Sequence, residues 1–261
     1  MTPPDTLPDS PPDAQRIMAA IDATWPPAEF HRAGSWLLRR GAGGGQRVSA
    51  ASIAESGDQA AGIAPAEDTM RAWGQRPLFR LTPDQTELDR RLAEAGYAMK
   101  DPVALYAAPA AGLAGGHDET AKVFRAVSPL AIADEIWARG GIGPGRRAVM
   151  TRVQGPCMIL LARAGDRPAG VAFVAVANKD GDGDIAMIHA IEVAPEHRRK
   201  GGGLLLMRGA ASFAAEQGAA WLALAVTEAN APARALYARL GIARVGSYHY
   251  RIASSCREDA P

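Results

Sequence analysis

The chain has 261 residues, and its 29 lysines and arginines against 28 aspartates and glutamates leave a net charge of +1. That balance gives no reason to expect a nucleic acid or an acidic membrane surface as partner. The two cysteines, Cys157 and Cys256, are too few for a disulfide framework or a zinc cluster and read as reduced thiols of a cytoplasmic protein.

The opening MTPPDTLPDSPPD is rich in Pro and Asp with no apolar run, so 1–14 reads as a disordered tail, neither signal peptide nor anchor. Ile17, Met18, Ile21 and Trp25 recur at helical spacing, which predicts a helix from Gln15 to Trp25 that Pro26 and Pro27 end. SWLLRR and QRVSAASI, at 35–40 and 46–53, read as strands of a hairpin around GAGGG. No Lys-Ser or Lys-Thr follows those glycines, so turn chemistry explains them better than a nucleotide does. A helix from Ala66 to Trp73, a strand PLFRLT, a helix from Asp84 to Ala95 stopped by Gly96, and a strand YAMKDPVALYAA complete the first half. The small, flexible residues that follow predict a linker at 109–120 between domains at 15–108 and 121–253, with a tail at 254–261.

KVFRAV is a predicted strand, Pro129 to Arg139 a helix, and GGIGPGRRA a loop. Pro156 to Arg163 and Pro168 to Ala177 form an antiparallel hairpin in outline. Asp180, Asp182 and Asp184 alternate as in the start of a calcium loop. The later positions hold Ile185 where Gly is needed and Ile191 where a bidentate Glu belongs, so a solvated turn is expected. Then come a strand from Ile185 to Val193, a helix from Leu204 to Glu216, a strand from Ala220 to Val226, a helix from Pro232 to Leu240 and a strand from Ile242 to Ile252. Helix, glycine stop, strand and terminal tyrosines recur in RLAEAGYAMKDPVALY and LYARLGIARVGSYHY, which suggests two copies of one α/β unit.

Only the second copy has the basic glycine loop Arg198, Arg199, Lys200, Gly201, Gly202, Gly203 at a helix start. Backbone N–H groups there approach an anion closely and the positive end of the helix faces it, so the loop reads as a phosphate site. With Val193-Ala194-Pro195 before it, and Asn230-Ala231-Pro232 and Tyr237 two elements later, the stretch from Lys122 to Ile252 resembles the GNAT family of N-acetyltransferases. The first half resembles a degenerate copy of the same fold. The resemblance implies an α/β (α+β) tandem fold, each half a mixed, mostly antiparallel sheet flanked by helices.

It also implies acetyl-CoA as cofactor and transfer of acetyl to a primary amine of a small molecule or peptide by direct attack. The alternative is a non-catalytic acetyl-CoA-binding or regulatory protein. The loop N–H groups with Arg198, Arg199 and Lys200 would hold the pyrophosphate, the edge from Ile191 to Val193 the pantetheine arm, and the N–H near Val193 the thioester oxygen. In the family the tyrosine matching Tyr237 protonates the departing thiolate; packing against Leu236 and Leu240 is the other reading. Asn230 is either a cofactor contact or a helix cap.

Strict strand alternation places Met187, His189, Ile191 and Val193 on one face and Ala190 and Glu192 on the other. The general base is then His189, Glu192 or a water chain. His31, His117, His197 and His249 show no ligand spacing and no metal is expected. Trp25, Trp36 and Trp73 read as core, or as a wall of the acceptor cleft. The identity of the acceptor and the choice of monomer or homodimer stay open.

Overall fold

The computed structural model describes residues 10–114, 122–128, 130–177 and 185–254. His117, Cys256 and the Asp180, Asp182 and Asp184 turn lie outside the described residues, as do most of the two expected tails.

Helix α1 (Ala14–Thr24) starts where the Asp13 carboxylate accepts from the Arg16 N–H at 2.8 Å, a cap that satisfies one of the helix's unpaired donors. Its buried residues Ile17, Ala20, Ile21 and Thr24 fall on one stripe. Next come β1 (Glu29–Ala33), β2 (Trp36–Arg40) and β3 (Ser52–Ile53). β1 and β2 form the tight hairpin, with Ala33 opposite Trp36 and Gly34 at φ +59° in the two-residue turn. The expected hairpin around GAGGG is present as well, with a shorter second strand than expected. β2 pairs with β3 at Trp36–Ile53 and Leu37–Ser52, and Gln46–Val48 is a 3-10 turn.

Helix α2 (Ala64–Ala72), β4 (Leu78–Leu81), α3 (Thr86–Glu94) and the long β5 (Ala98–Pro109) follow. The expected linker begins with a short helix, α4 (Ala110–Leu113), whose Ala110 and Leu113 are buried in a core cluster, so these residues are packed rather than loose. After β6 (Val123–Ala126) and α5 (Ala131–Arg139), the stretch read as a loop contains α6 (Pro144–Met150). Proline in a first turn costs no hydrogen bond, and the neighbouring glycines obscure that start signal. The chain then makes β7 (Cys157–Ala164), β8 (Arg167–Ala177), β9 (Ile185–Val193), α7 (Gly202–Glu216), β10 (Trp221–Thr227), α8 (Ala231–Arg239) and β11 (Ala243–Ile252).

These elements group into two compact units that are not consecutive halves. The larger comprises residues up to Pro26, Ala104–Val226 and Asn230–Gly246; the smaller comprises Pro27–Val103, Thr227–Ala229 and the residues from Ser247. The expected cut near 109–120 therefore falls inside the larger unit, because α1 and the end of β5 pack there.

In the larger unit the strands run in the order β6-β7-β8-β9-β10-β5. One face is covered by α7, whose Leu206, Met207, Ala210, Ala211, Phe213 and Ala214 join a core with Tyr106, Val174 and Ile188. Small residues let that helix sit close: a Cβ on Gly209 would come within 2.9 Å of Val123 Cγ1. The other face carries α1 and α5, packed on β8 and β9.

In the smaller unit β4 pairs antiparallel with β11, from His249–Leu81 to Ile252–Leu78. Trp36, Phe79, Leu81, Leu88, Leu92 and Tyr97 form its core.

Candidate functional site

Two strands of the larger unit part company in its middle. β9 and β10 are parallel, and their register runs only through Ile185–Trp221, Ala186–Leu222 and Met187–Ala223. β9 continues to Val193 and β10 to Thr227 without pairing to each other, so a gap opens with one β9 backbone edge facing into it. On its other side β9 stays paired to β8 up to Val193–Gly170.

A β-bulge sits at the parting. Phe173 pairs with His189 and Val171 with Glu192, so Ala190 and Ile191 together oppose Ala172. Ala190 takes φ +50°, rare for a residue with a Cβ, and its carbonyl oxygen accepts from the Trp137 indole N–H at 2.8 Å. The extra residue overturns strict alternation: His189 and Glu192 share a face. Ile191 and Val193 instead pack with the α7-side core. A bulge leaves the hydropathy of IHAIEV unchanged, which is why the sequence does not disclose it.

From Val193 the chain enters the glycine loop. Ala194 N–H donates to Ala169 C=O at 2.9 Å, Pro195–His197 makes a 3-10 turn, and Gly201, at φ +87°, caps α7 in the left-handed region. Glycine adopts that conformation without the cost a side chain imposes. Gly202 and Gly203 serve close packing instead, since added Cβ atoms would lie 3.3 Å from Val193 Cγ1 and 3.1 Å from Leu236 Cδ2. The first turn of α7 has neither a capping side chain nor an acidic residue. Its leading N–H groups and the exposed Arg199 and Lys200 thus fit an anionic pyrophosphate.

Arg198 is engaged elsewhere. Its Nε donates to Val193 C=O at 3.1 Å and its Nη2 to Glu192 Oε1 at 3.2 Å, which ties the loop back onto the end of β9. Ile136, Arg139, Gly140, Glu192, Ala194, Pro195 and Arg198 line a small pocket there. A neighbouring pair, Arg139–Glu196, is 3.3 Å apart.

Tyr237 on α8 is 4% exposed, and its ring centroid lies 5.6 Å from that of Tyr106 on β5, a contact the sequence does not announce. Among the described residues no group hydrogen-bonds its hydroxyl. Burial, reinforced by the Tyr106 phenol, pushes its pKa up to about 12, so it holds its proton at neutral pH. Tyr237, Ile191 and Val193 meet in one hydrophobic cluster. Asn230 is exposed and caps α8, accepting from Ala233 N–H at 3.2 Å.

His189 lies on the opposite face, 3% exposed beneath α1. Its Nε2 is 2.8 Å from Thr24 Oγ1, and its ring centroid is 5.0 Å from that of Trp25. Thr24 and Trp137 are the neighbours that sequence reasoning misses, since neither sits in a motif. Trp25 also packs on Phe173, while Trp36 is buried in the smaller unit's core and Trp73 is half-buried beside His31.

A model of the Acetyltransferase (GNAT) family matches residues 131–242. An uncharacterized N-acetyltransferase of Bacillus subtilis, YobR, is 28% identical over 92% of this chain and 98% of its own length. Streptothricin acetyltransferase of Streptomyces lavendulae is 58% identical over 59 residues, so the match spans 23% of this chain and 31% of that enzyme. Among solved structures, a GCN5-related N-acetyltransferase from Kribbella flavida superposes with a TM-score of 0.68 at 21% identity, over 94% of this chain and 97% of that one. A tandem GNAT protein from the clavulanic acid biosynthesis pathway gives a TM-score of 0.55 at 15% identity, over 80% of this chain and 76% of that one.

Proposed function

Residues 131–242 are an acetyltransferase domain of the GNAT family, and from that premise we propose that the protein moves acetyl from acetyl-CoA to a primary amine by direct attack. The observation that carries the reading is the parting of β9 from β10 after Met187 and Ala223, with β9 leading straight into the Gly201 helix start. One feature offers an unpaired backbone edge to an extended arm, and the other offers N–H groups to a diphosphate.

In this reading acetyl-CoA supplies the thioester, and the N–H groups of Gly201, Gly202 and Gly203, with Arg199 and Lys200, hold its pyrophosphate. The β9 edge from Ile191 to Val193 pairs with the pantetheine arm. The Val193 N–H donates to the thioester oxygen, where one aimed donor contributes roughly 3 kcal/mol of barrier lowering. His189 takes a proton from the amine as the C–N bond forms. The C–S bond breaks and Tyr237 gives its proton to the departing sulfur. Proton exchange with solvent then resets both side chains. Base and acid approach the gap from opposite faces of β9, which separates amine entry from thiol departure. Glu192 is left as counter-ion of Arg198, and Arg198 as the tie between loop and strand rather than a phosphate ligand.

Thiol release from acetyl-CoA tests this, with a panel of amines, amino acids, aminoglycosides, peptides and streptothricin. At least one acceptor should release thiol, and Tyr237→Phe should lower kcat by about 10²-fold with acetyl-CoA affinity little changed, the size of a lost general acid. Tight acetyl-CoA binding with no thiol release from any acceptor would remove the catalytic reading and leave the regulatory one.

A further inference from the structure

Among the described residues of the core that Ile191 and Val193 pack against, every side chain is apolar except two phenols, and these lie side by side. Tyr237 enters from α8 and Tyr106 from β5, with ring centroids 5.6 Å apart and planes tilted by 53°. They are 4% and 8% exposed. On β5, Ala104 and Ala108 share this face with Tyr106, so Tyr106 is the one large side chain it presents here. A phenylalanine would bury the same ring. What the tyrosine adds is a hydroxyl, and among the described residues no hydrogen bond engages it, just as none engages that of Tyr237. Buried phenols ordinarily have a partner.

When Tyr237 gives its proton to sulfur, its oxygen becomes a phenolate in apolar surroundings. The burial that pushes the Tyr237 pKa up to about 12 penalises that charge. A neighbouring O–H that donates to the oxygen offsets the penalty, because hydrogen bonds to ionised oxygens are stronger than neutral ones. Tyr106 carries the one other donor side chain in the cluster. Bonds of this kind often close only in the reacting complex, so the fold must supply the neighbouring ring beforehand.

We propose that Tyr106 is a positioning residue for Tyr237: its hydroxyl donates a hydrogen bond to the Tyr237 oxygen as that oxygen's proton passes to the departing sulfur. The Tyr237 O–H bond breaks, the S–H bond forms, and Tyr106 keeps its own proton throughout. The proposal rests on the reading of Tyr237 as the acid. It draws the first repeat into the chemistry, since β5 ends that repeat while its Tyr106 belongs to the larger unit.

Two measurements test it. With an acceptor that releases thiol, Tyr106→Phe should lower kcat about tenfold or more, the size of one hydrogen bond to a charged oxygen, at unchanged KM for acetyl-CoA. In a Tyr237→Phe background the same substitution should cost nothing further, whereas a packing defect would cost the same in both. The second measurement needs no substrate: a carbon-13 NMR titration of ring-labelled tyrosine in the free protein. The pair should lose its first proton at lower pH, and its second at higher pH, than Tyr237 does alone in Tyr106→Phe. Full kcat in Tyr106→Phe while Tyr237→Phe is slow, equal losses in both backgrounds, or a Tyr237 titration that Tyr106→Phe leaves unmoved overturns the proposal. Tyr237→Phe at full rate removes instead the acid reading beneath it, and coupled titration in that case would mark the two phenols as a structural pair.

Discussion

A methyl group added to Gly140, at the end of α5, would lie 2.4 Å from Glu192 Cδ. The glycine makes room for a carboxylate that Arg198 binds, and Arg198 in turn holds the Val193 carbonyl, so each of these residues limits where the next can go. Gly140→Ala should therefore destabilise the protein by about 1–3 kcal/mol through overpacking. Glu192→Ala in the same chain removes the clashing group, so the two substitutions should be non-additive by about 1 kcal/mol or more in urea unfolding. Simple additivity would show that Glu192 moves aside freely and that the Arg198 tie is incidental. The sequence offers Glu192, Arg198 and Tyr237 as candidates, Arg198 and Tyr237 through the family resemblance and Glu192 through its place on the strand. Their engagements are not readable there, because a pairing between Glu192 and Arg198 depends on which face the strand presents.

At the scale of elements, nearly every helix and strand follows from periodicity, while the features that aim them do not. The bulge at Ala190 and the start of α6 at Pro144 both arise where backbone geometry departs from the hydrophobic pattern. The anchoring of β11 is another such feature. Arg251 grips the Asp89 carboxylate on α3 through Nε–Oδ1 at 2.7 Å and Nη2–Oδ2 at 2.8 Å, and His249 Nε2 is 2.6 Å from Oδ1. The Arg251 hydrogen bonds, opposed by partial burial and aided by His249, bring the Asp89 pKa down from 3.8 to about 2. A carboxylate whose pKa falls on folding stabilises the folded state above its unfolded pKa. The contribution is lost as pH drops through the folded value. Asp89 should thus contribute about 2 kcal/mol at neutral pH and lose it between roughly pH 4 and 2. Asp89→Asn should unfold at lower urea at pH 7, with a weaker acid dependence over that window. An unchanged acid profile in the variant would show that the grip adds nothing to the smaller unit.

For the whole molecule, the sequence of elements is repeated, but the packing does not respect the repeat. Strands β1–β3, α2, β4, α3 and β5 run in the same order as β7–β9, α7, β10, α8 and β11. Each unit nevertheless contains a strand from the other end of the chain: residues from Ala104 of β5 lie in the larger, and residues from Ser247 of β11 in the smaller. Ala104, Tyr106 and Ala108 belong to the larger unit's core, and Tyr106 lies against Tyr237. Thr24 and Trp25 of α1 cover His189 there. Local patterning reveals the order of elements, whereas the final partner of a strand is decided by contacts more than a hundred residues away. It follows that a fragment beginning at Ala121, the natural cut by repeat, lacks a core strand and the helix over β8 and β9. Losing several fully buried apolar side chains costs about 2 kcal/mol or more for each, against a typical total stability of 5–15 kcal/mol. Such a fragment should show no cooperative thermal transition and no acetyl-CoA binding by calorimetry. Adding the separately expressed 10–120 segment should restore both, because it returns α1 and β5 to the core that requires them. Cooperative unfolding of the fragment by itself would show that the glycine-loop half is self-sufficient and that the exchanged strand is dispensable.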